Sequence, residues 1–237
     1  MENRGGGRIS ARLSTRAYLS ISHILAADLF SQNCAQIEKA YNGIFSNELF
    51  NEHRSYVIGA IFSAVSFLEA TINEFLADTL DHSDGEVVSN LDSTTKTQLA
   101  LLWKHGRIEK FSILEKYQLV LTVAGKDLFE QGSPLYHDVD YLTRLRNALV
   151  HYKPEWIESS QGTQDQKTAH KMEKLLRGKF SLNPLTSSGN PFYPDKCLSH
   201  GCAKWAIISS LKFVDEFYSR LGQSYPFGFI RPLKTEL

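Results

Sequence analysis

Apolar residues recur every three to five positions along most of the chain, which is the spacing of amphipathic helices. The segments 13–32 and 35–50 both show this spacing, and we predict a helix in each. In the first segment, the residues expected to face the core are Leu13, Tyr18, Ile21, Leu25 and Leu29.

The longest predicted helix spans residues 55–80 and has a broad apolar face. The residues of that face are Ile58, Ile61, Val65, Leu68, Ile72, Phe75 and Leu76. A second stripe consists of the small residues Gly59, Ser63, Ser66 and Ala70, beside which a neighbouring helix could approach closely. This pattern is typical of the central helix of a bundle.

Shorter helical patterns occupy most of the remaining chain. They lie at 95–108, 108–125, 134–153, 164–177 (a weak one) and 202–222, with glycines expected to end them at Gly106, Gly125 and Gly222. Three prolines in 181–196 predict a long irregular loop. No segment alternates with period two, so we predict an all-α helical bundle without internal repeats.

The predicted domain organisation follows from these patterns. A single helical domain should cover residues 10–230, with an irregular insertion at 154–197 before the last helix and mobile tails at 1–9 and 231–237. Two smaller domains are the alternative at this chain length.

Composition and charge limit the possible functions. The chain has 42% apolar residues, and 26 basic residues balance 26 acidic ones. No global positive field therefore attracts nucleic acid, and any such contact must be local. The polar start shows no signal-peptide pattern, and the most apolar stretch, 56–68, is shorter than the roughly 20 residues that span a bilayer. We expect a cytoplasmic protein without a membrane span.

The three cysteines form no disulfide framework. Cys197, His200 and Cys202 are close in sequence, but no fourth zinc ligand accompanies them and their spacing is not that of a zinc knuckle. We therefore expect two thiols at the start of an ordinary helix, and neither a metal nor another cofactor.

The helix at 134–153 has well-marked ends and an unusual polar content. Ser133 is placed to cap it, Pro134 suits its first turn, and Pro154 ends it near Tyr152 or Lys153. At about 100° per residue, one side is apolar and consists of Leu142, Leu145, Leu149 and Tyr152.

The opposite side of this helix aligns Arg144, Asn147 and His151, at spacings of three and four residues. Arg146 lies elsewhere, at the edge of the apolar sector, about 140° from His151 on a straight helix. A guanidinium at that edge needs an acceptor, because a buried, unpaired charge costs several kcal/mol.

The sequence RNALVH, which contains Arg146, Asn147 and His151, resembles the signature of the HEPN superfamily. The resemblance implies an all-α bundle, usually dimeric, and in many members a metal-independent endoribonuclease of toxin, antiphage or RNA-processing systems. It also implies that Arg146, Asn147 and His151 form half of a site that the second subunit completes. Arg144 also fits the spacing range of the signature, but we favour Arg146 as the arginine of the site.

The residue types suit this chemistry independently. RNA is cut without a metal when its 2′-hydroxyl attacks the adjacent phosphate, which needs a base, an acid and a positive charge. Histidine titrates near neutrality, so one imidazole from each subunit of a homodimer would supply the base and the acid.

A purely structural interpretation remains open for these residues. Asp140, one turn before Arg144, could neutralise it, and His151 could simply cap helix carbonyls. The position of Arg146 has no such local explanation, and this favours a functional role for it.

Several residues are candidates for supporting roles. Glu69 and Asn73 share a face of the long helix, and Glu69 either orients Arg146 or Arg144 or is simply solvated. Tyr152 is placed beside His151. Candidate contacts to an RNA backbone are Lys153, Lys167, Lys171 and Lys174. For the last three, the solvated face of a surface helix is the commoner explanation of such a basic stripe.

These observations favour a metal-independent endoribonuclease, acting as a toxin or antiphage effector, with RNA as substrate and an antitoxin or defence-system protein as a further partner. The alternatives are a non-catalytic module of the same kind that binds RNA, a nucleotide or a partner protein, and a structural adaptor.

Overall fold

A 32-residue helix, α2 (Asn47–Asp78), lies at the centre of the computed structural model, which describes residues 16–80, 88–154 and 170–223. The other helices are α1 (Ser20–Ala40), α3 (Ser93–His105), α4 (Ile113–Val123), α5 (Pro134–Val150), α6 (Lys171–Leu176) and α7 (His200–Arg220). All of them except α6 make extensive contacts with α2. The described residues contain no strand, which confirms the predicted all-α, single-domain fold.

The predicted apolar face of α2 is buried, apart from Ile58, which is partly exposed. Phe75 packs edge-on against Phe217 of α7 at a ring distance of 5.4 Å, and Tyr117 of α4 packs against the same ring at 4.8 Å. The Tyr117 hydroxyl donates to the Leu68 carbonyl oxygen at 2.9 Å. Each such side chain contributes about 1.5–3 kcal/mol by burial, so this aromatic cluster joins α2, α4 and α7.

Gly59, in the small-residue stripe of α2, allows the close approach of a neighbouring helix that the stripe predicts. A Cβ atom added to Gly59 would lie 2.9 Å from the Phe30 ring of α1. Glycine at this position therefore lets α1 pack closely on α2.

The boundary between α1 and α2 differs from the prediction. Residues 41–46, expected to be helical, form a turn, and α2 begins at Asn47 rather than at residue 55. Gly43 has a φ of +87°, the Asn42 side chain accepts from the Ile44 amide, and Ser46 caps α2 through the Leu49 amide. These turn-forming and capping interactions outweigh the apolar spacing.

The predicted buried face of α1 is wrong. Tyr18, Leu25 and Leu29 are exposed, Ile21 is partly buried, and Leu13 lies outside the described residues. The buried residues are instead Ser20, Ile24, Ala27, Asp28, Ser31 and Cys34. Small residues on this face allow the short distance to α2, which the row of large side chains would prevent.

The remaining helix ends agree with the prediction to within a few residues. α3 is C-capped by Gly106, α4 ends before Gly125, and α7 ends before Gly222. Ser199 caps α7 by accepting from the Cys202 amide, so Cys202 lies in an ordinary first turn, as expected. The periodic apolar residues of this segment are buried, except for the partly exposed Ile208; the buried ones are Trp205, Leu211, Val214, Phe217 and Leu221.

Within the predicted insertion, the described part from residue 170 onward contains the six-residue helix α6 and an irregular segment. Residues 192–196 form a turn that contains a cis Tyr193–Pro194 peptide bond. The α6 residues Met172 and Leu176 are buried, and α6 packs against both α5 and this turn.

By length and composition, α2 could also cross a membrane. The apolar stretch found in the sequence ends before Glu69, whereas the helix itself continues through that residue. Half of its most apolar 18-residue stretch is buried inside the structure, and a core helix can have the same length and composition.

Candidate functional site

His151 lies at the point where α5 ends. Ser133 caps the start of this helix by accepting from the Tyr136 amide, and Pro134 occupies its first position, both as predicted. The helix ends at Val150, two to three residues earlier than expected, and His151 is its C-cap, with φ −102° and ψ 35°. Pro154 disfavours helical backbone in the residue before it, which contributes to this early end.

The end of α5 forms one wall of a cleft of about 200 Å³. The lining residues are Ala148, His151, Tyr152, Lys153, His170, Tyr193 and Pro194. The His170 ring stacks on Tyr193 with a centroid distance of 4.7 Å and an interplanar angle of 8°. The Tyr152 ring lies 6.3 Å from the same tyrosine. His151, Tyr152 and Lys153 are exposed, so a ligand could reach all three.

His170 brings a second imidazole to this cleft. Its Nδ1 atom accepts a hydrogen bond of 3.1 Å from the Met172 amide, at the start of α6. The neutral ring therefore carries its proton on Nε2 and can donate it. His170 and Tyr193 are not recognisable as site residues in the sequence, because only the tertiary fold brings them to His151.

Arg144 has the local partner that the sequence suggested. Its Nε atom lies 3.0 Å from Asp140 Oδ1 and 2.9 Å from Oδ2, one turn earlier on α5. The hydrogen bond to Asp140, followed by the charge of the same carboxylate, raises the pKa of the Arg144 guanidinium. Arg144 and Asn147 are both exposed.

Arg146 faces α2 instead of the cleft. Its Nη2 atom lies 3.8 Å from Glu69 Oε2, and its side chain keeps 29% of its exposure. Across the described ranges, no hydrogen bond or ion pair joins Arg146 to His151. Arg146 and His151 therefore lie on different sides of α5, as the 140° separation on a straight helix predicts.

Glu69 and Asn73 bind a cation that the sequence analysis did not consider. The ammonium of Lys116, on α4, lies 3.3 Å from Glu69 Oε1 and 2.9 Å from Asn73 Oδ1. The Lys116 side chain is only 1% exposed. Glu69 therefore holds Lys116 at shorter range than Arg146, and one carboxylate serves both cations.

The structure describes three of the four lysines that we predicted to contact an RNA backbone. Lys167 lies outside the described residues. Lys171 and Lys174 are exposed on α6, directly after His170, and Arg177 pairs with Glu173. Lys153 lines the cleft.

A second polar cluster lies where α1, α2 and α7 meet. Cys34 Sγ is 3.2 Å from His53 Nε2, which is 2.9 Å from Glu38 Oε1. The same carboxylate oxygen accepts from the His200 amide at 2.6 Å. Residue spacing does not reveal this cluster, because its members lie on three helices. In the sequence, His200 stands close only to Cys197 and Cys202.

Comparison of the chain with protein-family models, with curated proteins and with solved structures finds no match.

We predict that the two carboxylates facing α5 arginines differ in their contribution to stability. Glu69→Gln removes the charge that neutralises buried Lys116, and a charged hydrogen bond of this kind is worth about 1.5–3 kcal/mol. Asp140→Asn removes a pair whose arginine is half exposed, worth about 0.3–0.5 kcal/mol. Urea unfolding of both variants measures the difference, and equal losses would contradict the burial argument.

Proposed function

We propose that the chain is a HEPN-type endoribonuclease that cleaves RNA without a metal at the end of α5. The supporting observation is the cleft in which exposed His151 meets His170, Lys153 and two tyrosine rings. The resemblance carried by Arg146, Asn147 and His151 gives the reaction class, and the cleft offers the groups that such a reaction needs.

In the proposed reaction, a base removes the proton from the 2′-hydroxyl, whose oxygen forms a bond to the adjacent phosphorus. The bond from phosphorus to the 5′-oxygen breaks, and an acid gives that oxygen a proton. The products are a 2′,3′-cyclic phosphate and a 5′-hydroxyl. His151 is one acid–base group, and Lys153 and an arginine offset the negative charge that develops on the phosphate.

The aromatic residues suit a single-stranded substrate. Tyr152 is exposed at the cleft, and the partly exposed His170 ring is fixed there by stacking on buried Tyr193; stacking of a base on such a ring contributes about 1–3 kcal/mol. The exposed Lys171 and Lys174 follow directly in α6 and offer local positive charge along the strand. Because the chain has no net charge, attraction of an RNA backbone depends on such local positive charge.

We further propose a homodimer formed through α5. The outward face of this helix carries Arg144, Asn147, Val150 and His151, all exposed, with Val150 48% accessible. Together with Tyr152, which is 46% exposed, Val150 provides apolar surface for a second copy. Such a dimer places two His151 side chains near one another. The toxin or antiphage role, a cytoplasmic location and an antitoxin or defence-system partner are proposed from the resemblance alone.

The second candidate is a non-catalytic module that binds RNA, a nucleotide or a partner protein. The specific observation in its favour is the position of Arg146, which is held by Glu69 on the α2 side of α5. In that case the cleft binds its ligand without cutting it.

We predict that His151→Ala abolishes RNA cleavage by the purified protein, because general acid–base catalysis contributes about 10²–10⁴-fold. His151 is exposed, so the far-ultraviolet circular dichroism and the melting temperature should remain nearly unchanged. Cleavage assays with mass spectrometry of the ends should show 2′,3′-cyclic phosphates. Wild-type rates in the variant would remove the enzyme proposal, and RNA binding without any cleavage would favour the second candidate.

A metal control belongs with that assay. Cleavage should persist when Mg²⁺ and Mn²⁺ are chelated, since neither ion takes part in the proposed steps. Activity lost in chelator and restored by Mg²⁺ or Mn²⁺ would contradict the proposal.

We predict that Arg146→Lys slows cleavage by at least about tenfold, because lysine keeps the charge but loses the bidentate fork that suits phosphate. Arg144→Lys is the matched control, as it is on the same helix and already paired with Asp140. Single-turnover rates on one RNA substrate compare them. A normal Arg146→Lys beside an inactive Arg144→Lys would show that the arginine was wrongly assigned.

We predict a dimer at micromolar concentration, measured by light scattering. Val150→Glu should shift it towards monomer, because it puts a charge into the proposed apolar contact. If a strict monomer cleaves RNA at the full rate, the site does not need a second subunit. His170 of the same chain would then supply the second imidazole. His170→Ala then tests that assignment.

A further inference from the structure

We propose that Cys34, Glu38 and His53 form a Zn²⁺ site that ties α1 to α2 beside the start of α7. None of these three residues lines the His151 cleft, so the proposed ion takes no part in the proposed cleavage reaction.

The first argument is the convergence of three different ligand atoms. One atom each from Cys34, Glu38 and His53 lies within 4.8 Å of the other two. The separations are 3.2 Å from sulfur to nitrogen, 3.9 Å from sulfur to oxygen and 2.9 Å from nitrogen to oxygen. Ligands of a tetrahedral zinc ion lie about 3.4–3.6 Å apart, given Zn–S near 2.3 Å and Zn–N or Zn–O near 2.1 Å. Small side-chain shifts would therefore admit the ion.

The second argument is the way in which the helices present these side chains. Cys34 and Glu38 are four residues apart on one face of α1, and His53 lies on the facing side of α2. Glu38 Oε1 accepts from the backbone amide of His200, so the first residue of α7 is fixed at the same point.

The third argument is the state of the cluster without an ion. The His53 ring is fully buried, and its Nδ1 atom has no hydrogen-bond partner among the described residues. An unsatisfied buried polar atom costs about 1–3 kcal/mol. Zinc bound at Nε2 would leave Nδ1 unpaired, so the stabilisation by the ion must come from the metal–ligand bonds themselves.

The chemistry of the donor set favours zinc over magnesium or calcium. Sulfur and imidazole nitrogen are soft or borderline ligands, whereas Mg²⁺ and Ca²⁺ take oxygen ligands. Burial, and next the charge of Glu38, raise the pKa of the Cys34 thiol far above its usual range. Binding therefore requires that Zn²⁺ displace the thiol proton to solvent as the Zn–S bond forms. Three protein ligands would leave the fourth tetrahedral position to a water molecule.

The test uses the full-length protein, stripped with a chelator and titrated with ZnCl₂ or CoCl₂. We expect one ion per chain, a thiolate-to-cobalt charge-transfer band and a higher melting temperature with zinc than in chelator. Among the residues that the structure describes, Nδ1 of His53 has no outer partner of the kind that typically contributes about 10–100-fold in metal affinity. The ion should therefore be removable by chelator.

Cys34→Ser should remove the charge-transfer band and weaken zinc binding by more than the roughly 10–100-fold typical of an outer-shell change. Cys197→Ser is the control, because that thiol is also buried but contacts the Pro194 carbonyl. It should bind zinc like the wild type.

A wild-type protein that binds no zinc, or binds cobalt without a thiolate band, would overturn the proposal. Unchanged zinc affinity in a folded Cys34→Ser variant would overturn the proposal as well. If that variant does not fold, the wild-type cobalt spectrum and the effect of chelator on the wild-type melting temperature decide. In RNA cleavage assays, activity lost in chelator and regained only with Zn²⁺ points to this site, whereas inactivity of His151→Ala concerns the cleft alone.

Discussion

The burial of α2 is the constraint on which the rest of the structure depends. Its apolar residues occupy so much of its circumference that helices must cover it on several sides, and α1, α3, α4, α5 and α7 do so. Residue size decides how closely each neighbour approaches. Gly59 brings α1 close, whereas the Phe75 ring keeps α7 at the distance of an aromatic contact.

This arrangement determines which polar groups are available for chemistry. α5 lies along α2, so Arg146 on its inner edge meets Glu69, while His151 extends beyond the last helical turn into the cleft. Glu69 is already committed to Lys116, whose buried ammonium would be costly without a carboxylate. The longer distance to Arg146, 3.8 Å, means that this arginine is held less firmly and could be drawn to a phosphate.

The sequence predicts the parts of the fold that depend on strong local signals. The apolar face of α2, the capped start of α5 and the glycine after α7 are such signals, and each is confirmed. The buried face of α1 could not be predicted from hydrophobicity, because the fit of Ala27 and Ser31 against α2 decides it. Pairing across helices, as in Lys116 with Glu69 or His170 beside His151, leaves no trace in residue spacing.

The two proposed sites share one structural support, the segment from Phe192 to His200. Tyr193 and Pro194 form a wall of the His151 cleft, and Asp195 is held by Arg54 at 2.6 Å, next to His53 on α2. His200, which follows closely, is fixed by Glu38 of the proposed zinc site. An ion bound there would restrict the far end of the segment that carries the cleft wall. Since aromatic stacking requires a fixed ring position, order at the metal cluster would favour order at the proposed RNA site even though the ion takes no part in the chemistry.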